Sequence, residues 1–454
     1  MLNSFKRRFE EEFVLFFAVV KWTVLALLSG VVVGAAVALF VKLLNFGIGT
    51  ARAVPSVWGY ALLPIGLVVS TLMVRYLAPD ASGHGTEKVV EAVHERGGKI
   101  DLKVVPVKMV TTIVTVACGG SAGKEGPSTQ IAAGLMSALG TFMKFSEYDR
   151  RRLVVCGISA GFAAVFGTPV AGAVFALEVL YIGQILYDVI FPSFLSGVVA
   201  WRTALWLGLE YESFPISAAN IPAFTLENFG WPVLAGVFFG LVSLVTVEVM
   251  NGCELFFHRL KTSIVVKALL GAAMILALAY FVGTEYFGLS DGAMAEILRG
   301  RSVSYWGWLW KILLTAITLS CGGSGGVVTP IFYVGAAAGA AFAQFFGLDT
   351  ITYASWGLVA VLAGSANAPI SATVMAAEFL GAPALPFAAI VCVTSFMIVG
   401  HRSVYPTQLI SRPKSPILEL THVGSRIDTK NLTVIVLQKS PILRSIFVRT
   451  EVKK

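Results

Sequence analysis

Apolar residues fill this chain in runs of unequal length, and glycine and proline break the runs more often than charge does. Long runs cover 13–46, 56–77, 189–209, 230–257 and 265–284. Shorter ones cover roughly 104–117, 128–143, 153–166, 169–182, 306–320, 330–346, 354–363, 369–380 and 385–400. A helix needs about 20 residues to cross a bilayer. The pattern therefore predicts an all-α polytopic membrane protein in which several helices stop part-way. Backbone that breaks at membrane depth must be buried in protein or line a wet cavity. Short, interrupted segments at matching places in two halves point to a transport site.

The halves match. Residues 119–127 read GGSAGKEGP and residues 322–330 read GGSGGVVTP, so one frame, G-G-S-x-G-x-x-x-P, occurs twice. Lys124-Glu125 of the first copy is Val327-Val328 in the second. Further on, GTPVAGAVFALE (167–178) pairs with NAPISATVMAAE (367–378), each with a proline nine residues before a glutamate. The copies lie 203 and 200 residues apart. Two repeats follow, about 13–209 and 230–410, between an N-terminal segment 1–12 and a short tail 411–454. The alternative is that small-residue membrane helices all look alike. Sequence does not distinguish parallel from inverted copies.

Composition supports the class. Of 454 residues, 56% are hydrophobic and 13% charged, with mean hydropathy +0.80; a soluble domain carries about 25% charge. The net charge of +8 sits in clusters beside apolar runs, at 6–8, 150–152 and 453–454. Such clusters favour the cytoplasmic side, so the expectation is a multi-pass protein of the plasma (inner) membrane with both termini cytoplasmic, an even number of crossings and no nucleic-acid partner. The five cysteines lack C-x-x-C spacing, which indicates neither a disulfide frame nor a metal site. The charged start and the long first run do not fit a cleavable signal peptide.

Glycines let backbone N–H groups approach a ligand, and proline is tolerated in a first helical turn. Gly123–Pro127 thus reads as a loop leading into a helix N-terminus, an anion site by its dipole and free donors. Gly326–Pro330 offers the same donors without a charged side chain. A charge at the bilayer centre costs roughly 2.5–3.5 kcal/mol, so Glu125 needs a reason. As a carboxylate at a helix N-terminus it can occupy the anion site itself, which describes a gate. The bland alternative is a Lys124–Glu125 surface pair at a membrane edge. A phosphate-binding P-loop is excluded, because it needs glycine at Cys118 and Ser or Thr at Glu125.

Over roughly residues 13–410 the chain resembles the CLC chloride channels and proton-coupled chloride exchangers. GKEGP (123–127) is similar to that family's G-[RK]-E-G-P, whose glutamate is the gate. GGVVTP (325–330) is similar to its G-x-F-x-P element, whose backbone amides help bind chloride. GTPVAGAVFALE is similar to its helix beside the dimer interface, and GHRSVYPTQL (400–409) to its last short helix, whose tyrosine coordinates the central anion. The resemblance implies two inverted repeats of tilted, partly re-entrant helices, a homodimer in the lipid bilayer, an ion path in each subunit, and bound chloride ions with no other cofactor. It implies Glu125 as gate, with Gly126 beside it, Val327 and Val328 amides and Tyr405 around the anion, and Lys124 raising the local potential.

Three departures qualify it. The family's G-S-G-I-P, whose serine binds the central anion, is absent. Gapless alignment of APDASGHGTEKVVEAV (78–93) puts His84, flanked by Gly83 and Gly85, in the serine's place; a one-residue insertion would keep Ser82 there. An imidazole N–H can donate to an anion and predicts an acidic limb of transport near the ordinary histidine value of about 6.5. Alternatively His84 lines a vestibule without touching the ion. Exchangers usually carry a second glutamate after the position of Glu178; here it is Val179, which tilts the reading towards a passive channel and leaves Glu178 a structural role. The aromatic of G-x-F-x-P is Val328, which suggests a wider site. A proton-coupled exchanger of chloride or similar anions is the alternative. A fluoride-handling relative is less expected, because such relatives tend to change the proline kept here as Pro127. A membrane enzyme is remote: H-E-x-x-H is absent, and no G-x-S-x-G or dinucleotide fingerprint stands in a suitable strand context.

Overall fold

A computed structural model of the protein describes residues 2–54, 56–211, 214, 216 and 225–415, with two short strands at 418–419 and 435–436. Side chains of 2–9, 56–60, 226–227 and the two short strands are outside that description, so the sidedness expected from 6–8 and 453–454, and most of the tail expected at 411–454, lie outside the described residues.

The first half folds as eight helices: α1 (Leu2–Arg52), α2 (Ser56–Leu77), α3 (Thr86–Glu95), α4 (Val104–Ala117), α5 (Glu125–Phe142), α6 (Glu147–Phe166), α7 (Pro169–Glu178) and α8 (Ile190–Trp206). The second half repeats them as α9 (Leu226–Arg259), α10 (Ile264–Val282), α11 (Asp291–Leu298), α12 (Gly307–Ser320), α13 (Val328–Phe346), α14 (Thr350–Ser365), α15 (Pro369–Leu380) and α16 (Leu385–Val399). Among the described residues six helices are long and apolar enough to cross a membrane. Helices α3, α7 and α11 have only 10, 10 and 8 residues, too few to cross at about 1.5 Å per residue. Proline opens α7 and α15, where its missing N–H costs nothing. Gly167, in the left-handed region at φ 76°, ends α6 just before.

The contacts between the halves are reciprocal. Gly123 N–H donates to Gly326 O at 2.7 Å, and Gly326 N–H returns the bond to Gly123 O at 2.7 Å, forming an antiparallel bridge. Ser121 N–H donates to Thr318 Oγ1 and Ser324 N–H to Thr115 Oγ1, both at 3.1 Å. Each of these residues meets the counterpart of its own partner, 203 positions away, as a two-fold axis between the repeats requires; inverted repeats have such an axis in the membrane plane. Close approach follows small residues: Gly335 of α13 and Gly357 of α14 lie so tightly that a Cβ on either would meet the other's carbonyl.

Candidate anion-binding site

Three helices point their N-termini at the axis: α3, α5 and α13. Their N-cap residues Gly85, Lys124 and Val327 make no side-chain cap, so the first-turn N–H groups are not taken by their own N-caps. Gly83 and Gly85 both take left-handed φ values, 69° and 82°, a conformation an L side chain adopts only with strain. They turn the chain so that His84 O packs on Gly126 Cα and Gly85 packs on Gly126 O. The sequence-predicted Gly83, His84, Gly85, Glu125 and Gly126 thus share one site.

Glu125 is 1% exposed, so it is not a surface pair with Lys124. Its Oε1 accepts from the Val328 amide at 2.5 Å and its Oε2 from the Thr329 hydroxyl at 2.8 Å. The carboxylate rests over the two axis glycines; a Cβ on Gly123 or Gly326 would collide with its oxygens. It fills the N-terminus of α13 as an anion would. Thr329 was not singled out from sequence, although it stands inside the GGVVTP quoted for its glycines and proline.

Lys124 does not stand free to raise the potential: its Nζ meets Asp291 Oδ2 at 3.1 Å, and the pair offsets that charge. Tyr405 is fully buried, close enough to sense the Glu125 and Glu87 carboxylates, with Thr86 beside it. The geometry of its hydroxyl nevertheless falls short of a hydrogen bond to any described residue. Val327 and Val328 are buried side chains around the α13 amides.

Below the site opens a cavity of about 500 Å³ whose wall includes Ser82, Gly83 and His84. Both candidates for the serine position therefore face it. The His84 ring Nδ1 is buried without a hydrogen bond and lies 3.8 Å from Glu87 Oε2.

Glu178 accepts from the Ile370 and Ser371 amides at 3.1 and 2.9 Å, capping α15. Glu378 accepts from the Val170 and Ala171 amides at 3.0 and 2.8 Å, capping α7. Val179 is fully buried, and its carbonyl accepts from Gln408 Nε2 at 2.8 Å.

Two lysines escaped the sequence reading. Lys108 and Lys311 are both fully buried and 203 residues apart. Lys108 Nζ donates to Ala81 O at 3.1 Å and Gly83 O at 2.7 Å. Lys311 Nζ donates to Tyr286 O, Gly288 O and Ser290 Oγ at 3.0, 2.9 and 2.8 Å. Each pins the turn that leads into the short helix of its half. The shared offset and a lone lysine inside an apolar run were the available signal.

The sequence profile of the family described as Voltage gated chloride channel matches residues 65–400. A chloride/fluoride channel protein of Pseudomonas syringae pv. tomato is 32% identical over 404 residues, 87% of this chain and 88% of that one. A crystal structure of a CLC-type fluoride/proton antiporter aligns with TM-score 0.82 at 29% identity, covering 87% of this chain and 99% of that one. A slow cyanobacterial Cl⁻/H⁺ antiporter aligns with TM-score 0.71 at 19% identity, over 83% and 94% of the two chains, and supports the fold. Two of these names carry fluoride, against the expectation drawn from Pro127. The profile match, the relative and the inverted-repeat fold agree: this chain belongs to the voltage-gated chloride channel (CLC) family of membrane anion transporters.

Proposed function

We propose that this protein passes a small halide, chloride or fluoride, through the junction of α3, α5 and α13, and that Glu125 gates it. The observation that carries this reading is the Glu125 carboxylate accepting from Val328 N–H and Thr329 Oγ1. An anion arriving at the same donors competes with the side chain, and protonating the carboxylate removes the competitor. His84 or Ser82, the Gly85 and Val328 amides and the Tyr405 hydroxyl hold the central anion. The donors are neutral apart from an imidazole, so they bind without trapping the ion. Retained Pro127 does not argue against fluoride, because it sits in the helix rather than among the donors.

The buried, apolar Val179 supports a passive channel. Proton-coupled exchange is the second reading, favoured by the likeness to the fluoride/proton antiporter. Two copies of the chain form the working unit in this reading. The test is flux from purified protein in liposomes. Under a chloride or fluoride gradient, with voltage clamped at zero by an ionophore, a channel moves halide and no protons, whereas an exchanger drives protons uphill. In both cases Glu125→Gln is expected to flatten the pH dependence of halide flux. An unchanged pH profile in that variant would remove Glu125 from the gate.

A further inference from the structure

The cavity beside the site is walled by polar and charged residues and does not include Val179. His84 forms part of its wall, and Glu254 of α9 lines another part of it. Glu87, on α3 itself, stands 3.8 Å from Nδ1. Basic groups lie nearby as well, and Lys108 opposes the charged ring. Lys108 of α4 donates to the Ala81 and Gly83 carbonyls, and Lys88 pairs with Glu91 at 3.0 Å. Arg75 of α2 lies in the same wall. Tyr405 lies within the fields of both Glu87 and Glu125. Two buried polar atoms here, His84 Nδ1 and Tyr405 Oη, have no hydrogen-bond partner among the described residues. Buried polar atoms are normally paired, so two orphans here leave room for a partner that the protein itself does not supply.

We propose that His84, set between Glu87 and Glu254, is a protonation site through which protons from this cavity reach Glu125. It takes over the task for which Val179 has no carboxyl. Cavity water protonates the imidazole. The imidazolium then releases its proton towards the Glu125 carboxylate: one N–H bond breaks and one O–H bond forms at the carboxyl. Burial of the ring opposes its charged form, and the carboxylates of Glu254 and Glu87 offset part of that penalty. The inference rests on the reading of Glu125 as the gate.

Halide efflux from liposomes at symmetric pH tests both levels, with His84→Ser, Glu254→Gln and Glu125→Gln compared with the parent. Serine keeps a hydroxyl donor for the anion and deletes the titration. His84→Ser is expected to lose most of the acid-stimulated rise in flux. Glu254→Gln is expected to keep the rise but to need about one pH unit more acid to reach it. A parental profile in His84→Ser overturns the relay. If that variant does not fold, an unshifted profile in Glu254→Gln overturns it instead. A flat profile in Glu125→Gln keeps the gate whatever the other two show, and a parental profile there removes the gate on its own.

Discussion

The two halves of this molecule are one scaffold used twice, and their differences fall where the chemistry is. Lys108 and Lys311 brace equivalent turns, and Glu178 and Glu378 cap each other's helices. Gly123 and Gly326 bond to each other. Against this symmetry, Glu125 stands where the second half has Val328, and Lys124 where it has Val327. The turn pinned by Lys108 carries His84, whereas the turn pinned by Lys311 carries Leu289 at the position one after the pinned glycine. Symmetry places helix N-termini at the middle of the protein from both sides. Asymmetry decides that only one half supplies the carboxylate, and that it reaches into the other half's helix end.

The comparison breaks most sharply at the two lysines. Replacing Lys108 or Lys311 with methionine leaves two or three buried acceptors unpaired, at about 1–3 kcal/mol for each unsatisfied group. Both variants are expected to lose about 2–4 kcal/mol in thermal unfolding in detergent. Only Lys108→Met is expected to change halide flux, because only its turn carries His84. An equal flux defect in both would show that the second turn also shapes the ion path.

The exchanged caps should behave alike. Glu178→Gln and Glu378→Gln each weaken a charged cap on a helix N-terminus, a loss of about 1 kcal/mol. Matching shifts in unfolding temperature, with halide flux per folded protein kept, are expected. A selective transport defect in Glu178→Gln would give that carboxylate a part in the path as well as in the fold. The smallest effect is expected at Thr329. Removing its hydroxyl as Thr329→Val takes the Thr329 bond from the Glu125 carboxylate, about 1 kcal/mol of the closed position, so flux at neutral pH is expected to rise several-fold. The counterpart of Thr329 in the first half is Gly126, and no hydroxyl is available there.

Much of this was legible from glycine, proline and acid positions. The G-G-S-x-G frame exposed the repeat because tight loops at helix starts tolerate few residues. The proline-to-glutamate spacing marked α7 and α15, whose cross-capping explains why both residues recur. Helix limits were less readable: the run 13–46 is the apolar part of a helix that extends over Leu2–Arg52, since α-structure continues past the apolar stretch. The inversion was invisible, because a repeated motif is the same string whichever way the copy faces. Lys108 and Lys311 were overlooked because all but one of their partners, Ser290 Oγ, are backbone carbonyls, which leave no trace in side-chain patterns. The offsetting of Lys124 by Asp291 joins residues 167 positions apart, and nothing local announces it.

The crossed caps also set a clock for biosynthesis. Glu178 is made 200 residues before Glu378. At about 5–20 residues per second, the start of α7 waits roughly 10–40 s at the ribosome for the carboxylate that caps it. Over that interval the first half holds a short helix with two amides at its start lacking their acceptor and an acid lacking its donors. The first half therefore completes its caps only when the second half has been made.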